Sequence, residues 1–364
     1  MSRPRPPVLL LALLGALACT CAPSLPEAYE RSRAAAERAY SHGRYEEAAE
    51  HWRRAAQSAE RKKDRADAMY RYAVSLRRSG RGPEAAEALR LLLKDYPKSH
   101  RADRAVYDLA DLALDSGDRE AGLAALAEFV RARPTSPLAL HAADRYFEQL
   151  QEREGTSAAE AWAKATSSAV KGSAVEELLL FRLGQSQEAS GDTAAALGSY
   201  RRLVAAFPYP RGAYWDDALL RAARLERAGG NPDRALALIA ELMRERESAD
   251  LQGSYEKPVY AEARLERAGI LADQGRTSAA LDELRRIYQQ HQHSRLRDDA
   301  LWRESRLAHA AGMKDRACDA ATVLIKNLPE SRYAPCAHLL CPSAPRAKGQ
   351  CRAYIERELG ESAP

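Results

Sequence analysis

The residues of this chain with most chemistry to offer are its six cysteines, and four of them, Cys318, Cys336, Cys341 and Cys351, crowd the C-terminal end. A thiol can be oxidised, can ligate a metal as the thiolate or can attack a substrate, and spacing has to decide. An even cluster in an exported chain reads as two disulfides. Three pairings are open. A helix ending before Pro342 and another starting near Gln350 favour Cys341 with Cys351, which leaves Cys318 to meet Cys336. The sharper alternative is zinc, because "CAHLLC" supplies Cys336, His338 and Cys341, with Cys351 or Cys318 as a fourth ligand. His291 and His293 in "QQHQHSR" fall where a surface turn is expected. No glycine-rich phosphate loop follows a strand, and no serine elbow or zincin motif occurs. The sequence therefore offers no catalytic residue, no cofactor and no metal beyond the zinc alternative.

Chemistry of another kind is expected at the N-terminal end. Arg3 and Arg5 precede an apolar run from Val8 to Leu17, and Ala18 then stands before Cys19. That is the pattern of a secretory leader, too short to span a bilayer as a stable helix. Its end resembles a bacterial lipobox, which implies that Cys19 carries lipid and becomes the new N-terminus, with Cys21 close by. Ordinary cleavage to a free periplasmic product is the alternative. By resemblance to enterobacterial lipoprotein sorting, Thr20 in place of Asp after the cysteine favours the outer membrane. Without Arg3 and Arg5 the chain has 54 basic and 51 acidic residues, from totals of 56 and 51. Such a balance gives no footprint for nucleic acid.

The elements that carry these residues emerge from a repeat. Glycines at 43, 80, 117, 155, 191, 230, 275 and 312 are spaced by 37, 37, 38, 36, 39, 45 and 37 residues. Seven residues before each stand Ala36, Ala73, Ala110, Glu148, Gly184, Ala223, Ala268 and Ser305. Five after stand Ala48, Ala85, Gly122, Glu160, Ala196, Ala235, Ala280 and Ala317. These columns are almost entirely small, whereas the positions nine and twelve after are mostly bulky and apolar. The pattern predicts two amphipathic helices per unit, joined by a turn that glycine enters at positive φ and brought close by the small columns. Pro97, Pro134, Pro208 and Pro329 each end a second helix, and Ser99 and Ser331 are expected to cap the next first helix. Extra chain at "RESADLQGSYEKP" predicts a longer loop or mild bend.

The phrases "HGRYEEAAEHWRRA" and "SGDTAAALGSYRRLVAAFP" resemble the tetratricopeptide repeat. The 37-residue period with "DYPKSHRADRA", "RPTSPLALHA" and "LPESRYAPCA" is similar to the BamD family of outer-membrane assembly lipoproteins and to the C-terminal repeats of the CpoB family. The resemblance implies an all-α, right-handed superhelical α-solenoid. The expected organisation is a signal peptide (1–18), a lipidated tether (19–26), a repeat solenoid of about eight units with the fourth degenerate (27–331), and a cysteine-rich helical C-terminal cap (332–364).

In that family the first helices line a concave surface. Ten residues before six of the glycines come Tyr70, Tyr107, Phe181, Leu220, Leu265 and Trp302, followed at the next position by Arg71, Asp108, Arg182, Arg221, Glu266 and Arg303. Arg224 and Arg306 join one turn on. Aromatics beside arginines suit interface hot spots. The partner-binding candidates are Tyr70, Arg71, Tyr107, Phe181, Arg182, Arg221, Arg224, Trp302, Arg303 and Arg306. Asn231 and Asn327 are the only asparagines and neither lies in a first helix, which disfavours a carboxylate clamp. The expected function is a non-enzymatic interaction scaffold on the periplasmic face of the outer membrane. It would hold envelope proteins or peptide segments and support assembly of outer-membrane proteins or of an envelope complex. Alternatives are a pilotin, a motility or secretion scaffold or, in another class, a metal-binding or enzymatic helical protein using the C-terminal cysteines.

Overall fold

A computed structural model describes residues 25–244, 248–249 and 255–361. The expected leader, Cys19 and Cys21 lie outside the described residues. Those described form an all-α fold of consecutive antiparallel helix pairs. The chain divides between Leu126 and Ala127, within α6, into two compact units. Unit 1 holds α1 (Glu27–Ser41), α2 (Tyr45–Ser58), α3 (Lys62–Arg78), α4 (Gly82–Asp95), α5 (Ala102–Asp115) and the start of α6 (Arg119–Ala132). Unit 2 continues with α7 (Pro137–Glu154), α8 (Thr156–Ala169), α9 (Ala174–Ala189), α10 (Thr193–Ala206), α11 (Trp215–Ala228) and α12 (Pro232–Arg244). It ends with α13 (Pro258–Asp273), α14 (Thr277–Gln290), α15 (Arg297–Ala310), α16 (Lys314–Asn327), a 3-10 helix (Ala334–Leu339) and α17 (Ala353–Glu361). Between α12 and α13 the extra chain pairs Ser248 with Glu256 and Ala249 with Tyr255 as a two-residue antiparallel ribbon.

All eight counted glycines take positive φ, from 72° to 90°. At Gly80 the corner is a Schellman turn. Arg81 N–H reaches Leu76 C=O at 2.9 Å and Gly80 N–H reaches Arg77 C=O at 3.1 Å, so the last carbonyls of α3 are satisfied by a residue that needs no Cβ. The same pair of bonds recurs at Gly43, Gly191, Gly230, Gly275 and Gly312.

The small columns are where the helices of a pair meet. Ala36, Ala73, Ala110, Ala223, Ala48, Ala85, Ala196 and Ala317 are all buried. Ser305 Oγ donates to the Ala317 carbonyl at 2.9 Å, joining one column directly to the other. At Gly184 a Cβ would stand 2.3 Å from the ring of Tyr200, so the missing methyl makes room for the bulky residue nine places after Gly191.

The fourth pair differs from the columns counted from Gly155. Here α7 runs to Glu154 and α8 starts at Thr156, so the corner is Gly155 alone, at φ 90° and ψ 170°. The second helix therefore starts one residue earlier after its glycine than in the other pairs. Its buried small residues move back one place to Ala159 and Ala163, while Glu148 turns to solvent. The pair is intact, with its register displaced.

The prolines follow the ends of α4, α6, α10 and α16 as expected. The serines do not cap as expected. The residue preceding α5 is Arg101, three places on from the proline turn, and Ser99 Oγ is buried without a hydrogen-bond partner. Ser331 Oγ accepts from Tyr333 N–H at 3.2 Å and donates to Asp298 at 2.9 Å, so it ties a turn that leads into a 3-10 helix and not into an α-helix.

Candidate protein-binding site

In unit 1 the first-helix column folds inward. The Tyr70 hydroxyl donates to Asp108 Oδ2 at 2.8 Å while the Arg101 guanidinium lies over its ring at 4.9 Å. Burial, helped by Asp108, pushes the Tyr70 phenol up to about 12. Arg71 donates from Nε to Asp67 at 3.0 Å and lies over Trp52 at 5.2 Å. Tyr70 and Arg71 share a pocket of about 350 Å³ with Tyr40, Trp52, Val74 and Arg101. Tyr107, half-buried, is covered by Arg104 at 5.7 Å.

Within unit 2 the arginines of the column form a ladder of ion pairs between successive first helices. Arg182 of α9 donates from Nε to Asp144 of α7 at 2.6 Å and approaches Glu148 at 3.2 Å. Arg221 of α11 reaches back to Glu188 of α9 at 3.0 Å, an acceptor it shares with the Tyr200 hydroxyl at 2.8 Å. Arg224 reaches forward to Glu262 of α13 at 2.8 Å, and Arg227 to Glu266 and Asp273, both at 2.6 Å. Phe181 is 9% exposed and stacks on Tyr214 at 4.7 Å with Arg221 above it. Trp302 is 2% exposed and stacks on Tyr333 at 5.1 Å among Leu301, Ala321 and Leu324, which makes it part of a C-terminal core.

The ladder lapses after α13. Among the described residues Arg303 of α15 has no carboxylate partner, and Arg306 turns to Glu358 of α17 at 3.9 Å. A pocket of about 300 Å³ opens there, lined by Leu265, Ala268, Gly269 and Ala272 of α13, Leu284 of α14, and Leu307 and Ala310 of α15, with Arg303 and Arg306 at its rim. A Cβ at Gly269 would meet the Arg227 guanidinium at 2.8 Å, so the glycine lets that side chain cross toward Asp273. The site is a concave apolar surface with cationic edges, suited to an apolar side chain beside a carboxylate.

Two buried features of unit 2 were not foreseen. Glu304, wholly buried in α15, accepts from Arg285 of α14 at 2.8 Å and from Arg316 of α16 at 3.0 Å; those arginines continue to Asp319 and Asp282. Its place beside the small column, eight residues before Gly312, was the available sign. His291, expected on a surface turn, is fully buried as the C-cap of α14, and its Nε2 accepts from Arg264 at 2.9 Å. It occupies the position that Tyr96, Phe207 and Leu328 hold at the ends of α4, α10 and α16.

The four C-terminal cysteines form two disulfides, but not in the favoured pairing. Cys318 joins Cys341, with Cα atoms 4.9 Å apart, and Cys336 joins Cys351 at 4.7 Å. The favoured pairing assumed an α-helix ending before Pro342. The segment is a six-residue 3-10 helix, after which Cys341 lies against α16 while Cys336, buried in the helix, meets the returning chain at Cys351. Every sulfur of the alternative zinc set is thereby oxidised, and His338 Nδ1 lies 2.9 Å from the Pro335 carbonyl. Among the described residues no group of three metal-ligating side chains converges.

A succession of α-hairpins with glycine corners is the architecture of a protein-protein interaction scaffold. Tetratricopeptide-repeat models match residues 33–100 and 220–295, and 179–208 and 299–331, together more than half of the chain. The chain is a tetratricopeptide-repeat protein. No curated protein matches it. Among solved structures it is similar to a tetratricopeptide repeat protein from Parabacteroides merdae, at 14% identity and TM-score 0.34 over 76% of this chain and 98% of that one. It is also similar to PilW, a type IV pilus biogenesis factor, at 15% and TM-score 0.39 over 65% and 98%. The Naa15/Naa10 complex bound to HypK-THB aligns at 17% and TM-score 0.41 over 77% and 39%. At these identities and TM-scores the likeness carries no functional conclusion.

Proposed function

We propose that this protein is a non-enzymatic scaffold of the bacterial envelope, held to the periplasmic face of the outer membrane by lipid on Cys19. In this reading it retains a partner segment at the gap between α13 and α15 while an outer-membrane protein or envelope complex is assembled. Export is supported by the leader-like sequence before Cys19 and by two disulfides, which persist in oxidising compartments. No helix among the described residues is long and apolar enough to cross a membrane.

The observation that carries the partner site is the lapse of the ion-pair ladder. Among the described residues α9, α11 and α13 neutralise one another and leave no cation for a ligand, whereas at α15 Arg303 has no carboxylate partner and stands beside an apolar pocket. The partner is therefore a segment with an apolar side chain next to an Asp or Glu. A displayed peptide library selected on the full chain should enrich that pair, and Arg303→Glu should weaken the selected peptides about tenfold or more. Peptides without acidic residues, or binding indifferent to Arg303→Glu, would refute the site.

A further inference from the structure

Lysine is scarce in this chain, at 10 of its 56 basic residues, and unit 1 contains Lys62, Lys63, Lys94 and Lys98. The hairpins bring all four to one end. Lys62 and Lys63 open α3, Lys94 lies in the last turn of α4 and Lys98 in the loop before α5, whereas the corners at Gly43, Gly80 and Gly117 stand at the opposite end. None of the four has an ion-pair or hydrogen-bond partner among the described residues. The arginines around them do: Arg61 is held by Asp64, Arg71 and Arg101 by Asp67, and Arg104 by Asp108. Glu60, Asp64 and Asp95 are the carboxylates nearest in sequence, and Asp64 is engaged by Arg61, which leaves cationic charge in excess.

Lys62, Lys63 and Lys98 line a pocket of about 510 Å³ with Tyr96, Pro97 and Asp95, and the partnerless Ser99 hydroxyl lies in the same loop. This surface is amphipathic: an aromatic ring and a proline, ringed by ammonium groups on long apolar stems. The chain also enters unit 1 at this end. Leu25 packs on the cluster of Tyr29, Trp52 and Ala59, and Tyr29 lies within electrostatic reach of Asp64 and Arg61 in the first turn of α3. Cys19 is six residues before Leu25, so an extended tether covers at most about 20 Å.

The geometry points to this end of unit 1 as a membrane-contact surface, with Lys62, Lys63, Lys94 and Lys98 on anionic headgroup phosphates and Tyr96 and Pro97 at the headgroup level. Its placement rests on the lipid reading of Cys19. The several acyl chains of a lipobox cysteine anchor the end of the chain by themselves, and a basic patch beside them sets which face of unit 1 lies on the headgroups. The salt dependence of such a patch distinguishes it from the lipid itself.

The test is amine labelling of the purified full chain on vesicles of phosphatidylcholine, with or without phosphatidylglycerol, read lysine by lysine by mass spectrometry. Lys62, Lys63 and Lys98 should be protected only on the anionic vesicles and released by high salt, while Lys314 and Lys348 label equally throughout. In the Cys19→Ser form, which carries no lipid, replacing Lys62, Lys63 and Lys98 by Gln should lower partition onto anionic vesicles about fivefold per lysine without loss of helicity. Labelling indifferent to lipid charge overturns the proposal, as does unchanged partition of the variant. The mass of the N-terminal peptide separates this outcome from failure of the lipid reading. An unacylated Cys19 with protected lysines leaves the surface standing, and an acylated one with unprotected lysines removes it.

Discussion

Gly184 shows how much one missing methyl decides. Apart from Glu148 of the displaced fourth pair, the other members of its column are alanine or serine, but Tyr200 packs its ring into the space that a Cβ would fill, 2.3 Å away, and is itself buried and tied through its hydroxyl to Glu188. Gly184→Ala should therefore destabilise unit 2 by about 1–3 kcal/mol through overpacking, although alanine is the better helix former by about 1 kcal/mol. Urea unfolding of the variant checks this, and a stabilised protein would refute the assigned contact. The small column was readable because each member sits at a fixed distance from a glycine. The buried acid Glu304 was marked only by its place next to that column; its partners Arg285 and Arg316 come from two other helices and no spacing in the sequence announces them. Trp302 and Phe181 failed as exposed candidates for a related reason. An aromatic at helical spacing reads the same whether it faces a groove or, as Trp302 does, a core closed by Tyr333.

The eight glycines carry the element scale. Seven corners share one geometry in which helix, three-residue turn and helix keep a common register, and the period alone exposes them. The corner at Gly155 breaks the count. Its single residue lies at φ 90° and ψ 170°, a region that is essentially glycine's alone. The displaced Ala159 and Ala163 were the legible trace of that change. Gly155→Asn should cost unit 2 about 1–3 kcal/mol. Gly230→Asn, in a Schellman corner at φ 76° where asparagine is the usual substitute, should cost clearly less. Thermal unfolding of both variants tests the difference, and equal losses would contradict the distinct geometry. The C-terminal segment was legible in its disulfide content but not in its connectivity. That depended on a 3-10 helix whose path "APCAHL" does not specify by periodicity.

At the scale of the molecule, repetition made the hairpin fold evident, while the proposed partner site lies where the ion-pair ladder stops. Ion pairs join α7 to α9, α9 to α11 and α11 to α13, and the next interval is apolar with Arg303 free at its edge. No motif marks that interval, since Arg303 looks like Arg182 and Arg221 in sequence and differs only in what faces it. Where a partner touches decides most directly whether this interval is a binding site. A photo-crosslinking residue at Leu307, in the full chain exported by living cells, should yield an adduct with an acidic segment of another protein, and Arg303→Glu should abolish it. The same probe at exposed Leu91 should yield none. Adducts of equal yield at both positions, or an adduct at Leu307 that survives the charge reversal, would contradict it.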